Sequence, residues 1–129
     1  MSVTYEIDRE IGLIRTRCVG DVTFADVERH FRELRNDAFL PERLDVLLDL
    51  TRMDSVPETD QLTAVAEEVE DLQRQVKWHS FAVVANNDVL FGMSRVLHAF
   101  AEPQFVNSHV FRELEEAEDW LASLRPPGA

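Results

Sequence analysis

The sequence predicts an α/β fold: a single, mostly parallel five-stranded sheet with an antiparallel N-terminal hairpin strand and four helices, in the order ββαβαβαβα. Three observations predict it. Apolar and polar residues alternate over residues 3–8 and 13–19, the period of two that a half-buried strand requires. Two later runs, Val46-Leu47-Leu48 and Phe81-Ala82-Val83-Val84-Ala85, are apolar without alternation, as in strands covered on both faces of a parallel sheet. Between and after these runs, apolar residues recur every three or four positions, the helical period. Strands alternating with helices imply right-handed crossovers and parallel neighbours.

The first strand sets Val3, Tyr5 and Ile7 against Thr4, Glu6 and Asp8. Asp8 to Gly12 supply a turn, and Leu13 to Val19 return as the second strand. Ile14, Thr16 and Cys18 share one of its faces; Leu13, Arg15, Arg17 and Val19 share the other. The short polar connection makes the pair an antiparallel hairpin. Gly20-Asp21 ends it. Thr23 and Asp26 have the spacing of a capping box, with an acid in place of the usual Glu. Phe24, Val27, Phe31 and Leu34 then recur at helical spacing, and this first helix runs to about Asn36. Leu40-Pro41 forces an extended link. Leu44 to Leu50 form the third strand and Thr51 to Val56 a polar loop. Pro57 lies near a helix start, where its missing N–H does no harm. Leu62, Val65, Ala66, Val69 and Leu72 make the inner stripe of the second helix, with Glu67, Glu68, Glu70 and Asp71 outside. Trp78 to Ala85 form the fourth strand, and Asn86-Asn87-Asp88 offer cap oxygens to a third helix of about Asp88 to Ala101. Glu102-Pro103 ends it. Val106 to Phe111 read as a short fifth strand, and Leu114, Ala117, Leu121 and Leu124 define the fourth helix, with Trp120 at its flank. Residues 1–124 make one domain, and 125–129 a frayed tail.

With 129 residues the chain is long enough for one self-supporting core and too short for two ordinary domains. The formal net charge of −12 argues against nucleic acid, whose phosphates call for basic groups, and against an anionic membrane surface. No apolar run approaches the ~20 residues that span a bilayer, so no membrane insertion is expected. The N-terminus MSVTYEIDRE has neither the basic nor the apolar region of a signal peptide. Cys18 is the single cysteine, which excludes an intrachain disulfide and fits a reducing compartment; the expected location is the cytoplasm. On its strand Cys18 alternates with buried positions and reads as a small core hydrophobe. No cofactor is expected.

Ligands and partners of open α/β sheets gather at the carboxyl ends of parallel strands. Asp49, Thr51, Asp54, Ser55 and Asn86 fall there and form the candidate polar contact surface. The same residue types also serve as turn and cap residues in any fold. Ser55-Val56-Pro57-Glu58 has the spacing of a capping box, and no Gly-x-Ser-x-Gly elbow surrounds Ser55, so no catalytic residue is assigned and an enzyme is not expected. His30, His79, His98 and His109 show no i, i+4 pair, so no metal is expected. His30 sits among charged residues of the first helix. His79 and His109 become neighbours if the fourth and fifth strands pair. In the third helix Phe91, Met93, Leu97 and Phe100 exceed what one core-facing stripe requires. Three readings compete there: a homodimer face, the wall of an apolar pocket, and a thick core; the expected state is a homodimer with the third helix supplying self-association.

The element order, the hairpin entry and the segment Leu47-Leu48-Asp49-Leu50-Thr51-Arg52-Met53-Asp54-Ser55 resemble the SpoIIAA-like, STAS-type family, whose best-described members are anti-sigma-factor antagonists. The resemblance in element order covers nearly the whole chain, and Asp49, Asp54 and Ser55 match the motif. In the antagonists the loop continues with a second serine, the one a partner kinase phosphorylates, and a Gly-Leu-Gly turn. Here Val56 stands at the phosphoacceptor position and no glycines follow. The resemblance therefore implies a divergent member lacking the phosphoacceptor serine. It implies a non-catalytic regulatory or protein-interaction module with a protein partner. CRAL-TRIO domains share the architecture and bind lipids, which implies the alternative: a carrier or sensor of a small apolar, lipid-like ligand in a pocket beside the third helix.

Overall fold

The computed structural model describes residues 2–125. The expected frayed tail lies, Arg125 apart, outside the described residues. Five strands and four helices follow in the expected order: β1 (Val3–Asp8), β2 (Leu13–Gly20), α1 (Phe24–Arg35), β3 (Arg43–Met53), α2 (Thr59–Leu72), β4 (Lys77–Val84), α3 (Asp88–Ala101), β5 (Asn107–Phe111) and α4 (Leu114–Ser123). A single 3-10 turn, Glu102–Gln104, carries Pro103 after α3. β1 and β2 pair antiparallel, and β2-β3-β4-β5 pair parallel in sequence order.

That order decides where the helices lie. Each crossover from β2 to β5 steps the same way across the sheet, so the right-handed rule puts α1, α2 and α3 on one face. The inner stripes agree. Ile14 of β2 packs with Phe31, Leu34 and Leu72, and Leu50, Phe81 and Val83 pack with Leu62, Leu90 and Leu97. The opposite face is covered by α4 alone, whose Ala117 and Leu121 sit on Leu13, Leu47, Ala82 and Val84. The alternation read from β2 holds: Ile14, Thr16 and Cys18 face the three helices, Leu13 and Arg15 face α4.

Local chemistry ends each element. Thr23 caps α1 by accepting from the Asp26 N–H at 3.1 Å, and Asp26 accepts from the Thr23 N–H at 2.9 Å, the reciprocal capping box. Asn87 caps α3 by accepting from the Leu90 N–H at 2.8 Å. Gly12 closes the hairpin turn at φ +64°, and a Cβ there would meet the Arg43 carbonyl oxygen at 2.9 Å. β3 extends beyond the apolar run to Met53, because Arg52 and Met53 pair with Val19 and Gly20 of β2.

Candidate functional site

The strand order never reverses, so the sheet has no topological switch point. The candidate contact residues there are divided. Asp49 and Thr51 form a closed unit: one carboxylate oxygen of Asp49 accepts from the Thr51 N–H at 2.9 Å and from its hydroxyl at 2.6 Å, and the other faces the Arg17 guanidinium at 3.6 Å. Asp54 is exposed and donates its backbone N–H to Gly20. The Ser55 hydroxyl oxygen accepts the Val22 N–H at 2.9 Å, which ties the β3–α2 loop to the β2–α1 loop. Asn86 is exposed at the end of β4.

Ser55 does not cap α2. The cap is Glu58, whose N–H donates to the Gln61 side chain at 2.9 Å. The reason is Pro57, which pushes Val56 out of the helical region and delays the helix to Thr59. β4 and β5 do pair, yet His109 lies opposite Ala82, three residues on from His79, roughly 10 Å along the strand. His109 packs its ring against Phe111 and Trp120, while His79 meets Asp45. Asp45 is buried at an irregularity between β3 and β4, where it accepts the Ser80 N–H at 3.0 Å. The Ser80 hydroxyl and the Asp45 carboxylate both meet the same nitrogen of His79, Nδ1, at 2.9 and 3.2 Å. A nucleophile–base–orienter relay needs the two on opposite ring nitrogens.

α3 resolves into faces. Leu90, Ser94, Leu97 and Ala101 are its buried stripe, and Phe91 and Met93 are half-buried against the core. Leu97 is 5% exposed, so it belongs to the interior and not to a self-association surface. Phe100 stands outside at 41%, with Val89 at 61% and Val96 at 38%. Phe91 lies beneath the Arg112 guanidinium, 4.1 Å from the ring centre.

Among the described residues a polar space of about 220 Å³ opens beside α4, lined by Arg15, Arg17, Asp49, Leu114 and Glu118. An apolar space lies between the sheet and the three helices. It is a cavity of about 140 Å³. Its floor is Thr16 and Cys18 of β2 with Val46 and Leu48 of β3; its walls come from α1, α2 and the Leu97 end of α3. Val27 of α1 and Val65 of α2 line it where longer side chains would fill it. Among the described residues no Asp, Glu, Lys or Arg lines it. The helices that bound it are fastened beyond its ends. Ser55 ties the loops at one end, and at the other the Arg35 guanidinium bridges Glu68 and Asp71 of α2. Pro57 and Gln61, both half-buried, mark its approach. Interiors of natural proteins rarely keep voids larger than a water.

Two lining residues are polar and buried, Thr16 at 6% and His30 at 8% exposed, and His30 is held edge-on between the rings of Tyr5 at 5.5 Å and Phe31 at 5.2 Å. Its Nδ1 is buried without a hydrogen-bond partner. Burial pushes its pKa down to about 4, so the ring is neutral near pH 7. Burial, with the Asp49 carboxylate second, pushes the Cys18 thiol up to about 12, which makes it an inert wall residue. The charged surroundings of His30 in sequence hid its place. The signal was nonetheless present: Val27, His30, Phe31 and Leu34 stand at i, i+3, i+4 and i+7, one inward stripe.

A family model described as SpoIIAA-like matches residues 13–122. The chain belongs to the SpoIIAA-like family. Among solved structures, this SpoIIAA-like chain is similar to an uncharacterised protein of the DUF3478 family with a SpoIIAA-like fold from Shewanella loihica PV-4. The two share 19% identity over 92% of this chain and 91% of that one, with a TM-score of 0.62, a likeness of fold. No curated protein matches. Among the described residues of the SpoIIAA-like chain, no helix is long and apolar enough to cross a membrane.

Proposed function

We propose that this SpoIIAA-like chain is a non-catalytic binding module that takes a small apolar molecule into the cavity between α1, α2, α3 and the sheet. The observation that carries this reading is the uncharged, nearly all-apolar space of about 140 Å³. Apolar cavities near 150 Å³ stay dry and accept a single benzene-sized ring. The occupant is thus smaller than a fatty acid. The non-catalytic part is supported by side chains already engaged: Ser55 on the Val22 backbone, and Ser80 with Asp45 on one nitrogen of His79.

The test is thermal unfolding with and without saturating toluene, for the parent chain and for Val65→Trp, which fills the cavity. A ligand that binds the folded state raises Tm by mass action. Toluene raises the Tm of the parent and leaves the variant unmoved. An unmoved parent sinks the reading. Native mass spectrometry of freshly purified protein would then identify any natural passenger.

A second reading rests on a different observation. Val89, Val96 and Phe100 leave an exposed apolar face on α3, and a second copy of the chain covering it makes a homodimer. Sedimentation of Val96→Glu/Phe100→Glu against the parent tests it.

A further inference from the structure

The two sides of α3 differ in kind. Leu90, Ser94, Leu97 and Ala101 are buried against the core. On the opposite side Val89, Gly92, Val96 and Ala99 are all exposed, at alternating steps of three and four. That is the spacing of the seam in a two-stranded coil, where each helix offers one narrow stripe to another. The seam also stands apart in charge. α3 is the one α-helix among the described residues with no acid beyond its first residue, in a chain of net charge −12. Depletion of charge marks the middle of a protein interface. By helical rotation Met93 and Phe100 flank the seam on one side, and Arg95 and Glu102 flank it on the other. Arg95 and Glu102 are both exposed, and among the described residues neither belongs to an ion pair.

Resting on the second reading above, in which another copy of the chain covers α3, we infer that the two α3 helices lie antiparallel across a two-fold axis near His98, so that Arg95 of each copy faces Glu102 of the other. The flanking residues decide the direction, as charged flanks do in coiled coils. In an antiparallel pair like flanks face each other: the ionic flank meets the ionic flank, and Met93 meets Phe100. In a parallel pair unlike flanks meet, and Arg95 and Glu102 would lie against Met93 and Phe100 without a counter-charge. Arg95 and Glu102 stand on either side of His98 in the chain, so a single two-fold rotation makes both ion pairs at once.

The experiment is sedimentation equilibrium of the parent, Arg95→Glu, Glu102→Arg, the double reversal Arg95→Glu/Glu102→Arg, and Val96→Glu/Phe100→Glu. It is run at about 0.15 M salt, where long-range repulsion between the two acidic chains is screened. The parent sediments as a dimer. Each single reversal sets like charges opposite one another twice and raises the dimer dissociation constant about tenfold. The double reversal keeps the parent's net charge and restores its dissociation constant. Every altered position is exposed, so far-UV circular dichroism stays at the parent's and folding does not enter the comparison. Single reversals that leave the constant unmoved, or a double reversal no tighter than the singles, overturn the antiparallel register; if Val96→Glu/Phe100→Glu then gives a monomer, the homodimer reading stands without it. A monomeric parent, or a dimer that survives Val96→Glu/Phe100→Glu, sinks the homodimer reading and this inference with it.

Discussion

The Ser55 hydroxyl and the backbone N–H of Val22 meet at 2.9 Å, across 33 residues of sequence. The bond fastens the two loops that enter α1 and α2, one at each side of the cavity approach. Ser55→Ala leaves the buried Val22 N–H unpaired and should cost about 1–2 kcal/mol in urea unfolding. Far-UV circular dichroism should show α2 intact, because its cap is Glu58 with Gln61. Loss of helix in that variant would restore Ser55 as the cap.

His30 is held at a cost to stability. His30→Phe removes the orphan nitrogen at nearly constant shape and should stabilise the fold by about 1–2 kcal/mol at pH 7. A destabilised variant would show that Nδ1 already has a partner.

The same residue sets a pH dependence. The folded pKa of about 4 lies below the ordinary 6.5, through burial, so between these values the unfolded chain holds a proton that the folded chain lacks. Stability therefore rises with pH through that window, is full above 6.5, and loses on the order of 3 kcal/mol as pH falls to 4 and below. Tyr5 beside the ring and Cys18, which lines the same space, are each pushed up to about 12, chiefly by burial, and stay neutral throughout. Denaturant unfolding of parent and His30→Phe from pH 4 to 7 checks it. The gap between the two curves should narrow toward neutral pH, to the difference of about 1–2 kcal/mol given above, and parallel curves would contradict the assignment.

On α3, adjacent substitutions should part company. Leu97→Glu places a charge in the interior and should abolish folding, whereas Val96→Glu/Phe100→Glu alters exposed positions and should keep the parent's circular dichroism. A folded Leu97→Glu protein would overturn the inward placement of that stripe.

Two glycines make a matched pair. Gly12→Ala meets the Arg43 carbonyl at 2.9 Å from a backbone at φ +64° and should cost more than about 1 kcal/mol. Gly92→Ala enters open space within α3 and should stabilise it by about 0.5–1 kcal/mol. Thermal melts of the two variants should shift in opposite directions.

Much of the fold was legible from local pattern. α3 begins and ends at Asp88 and Ala101 as its spacing and Asn87 cap require, and the Thr23–Asp26 box starts α1 where its residue types place it. These features depend on neighbours within about one helical turn or one strand. β3 ran past its expected end because the pairing of Arg52 and Met53 is made by β2, more than thirty residues away. Ser55 was misplaced as a cap for a similar reason: its partner, Val22, is remote in sequence.

By itself the sequence determined the alternation of strands and helices, the inward faces of β2 and α2, and membership of an α/β class, since periodicity and capping are local chemistry; on α1 the expected stripe counted Phe24, which is 44% exposed, and passed over the buried His30. Tertiary structure alone decided the site. The strand order, by never reversing, laid three helices on one face. Where Val27 and Val65 line the space above β2 and β3, their short side chains leave it unfilled, and His30 on its wall is left without a partner. Whether a polar atom is orphaned depends on what every neighbouring element fails to supply, and that is fixed only when distant segments pack together.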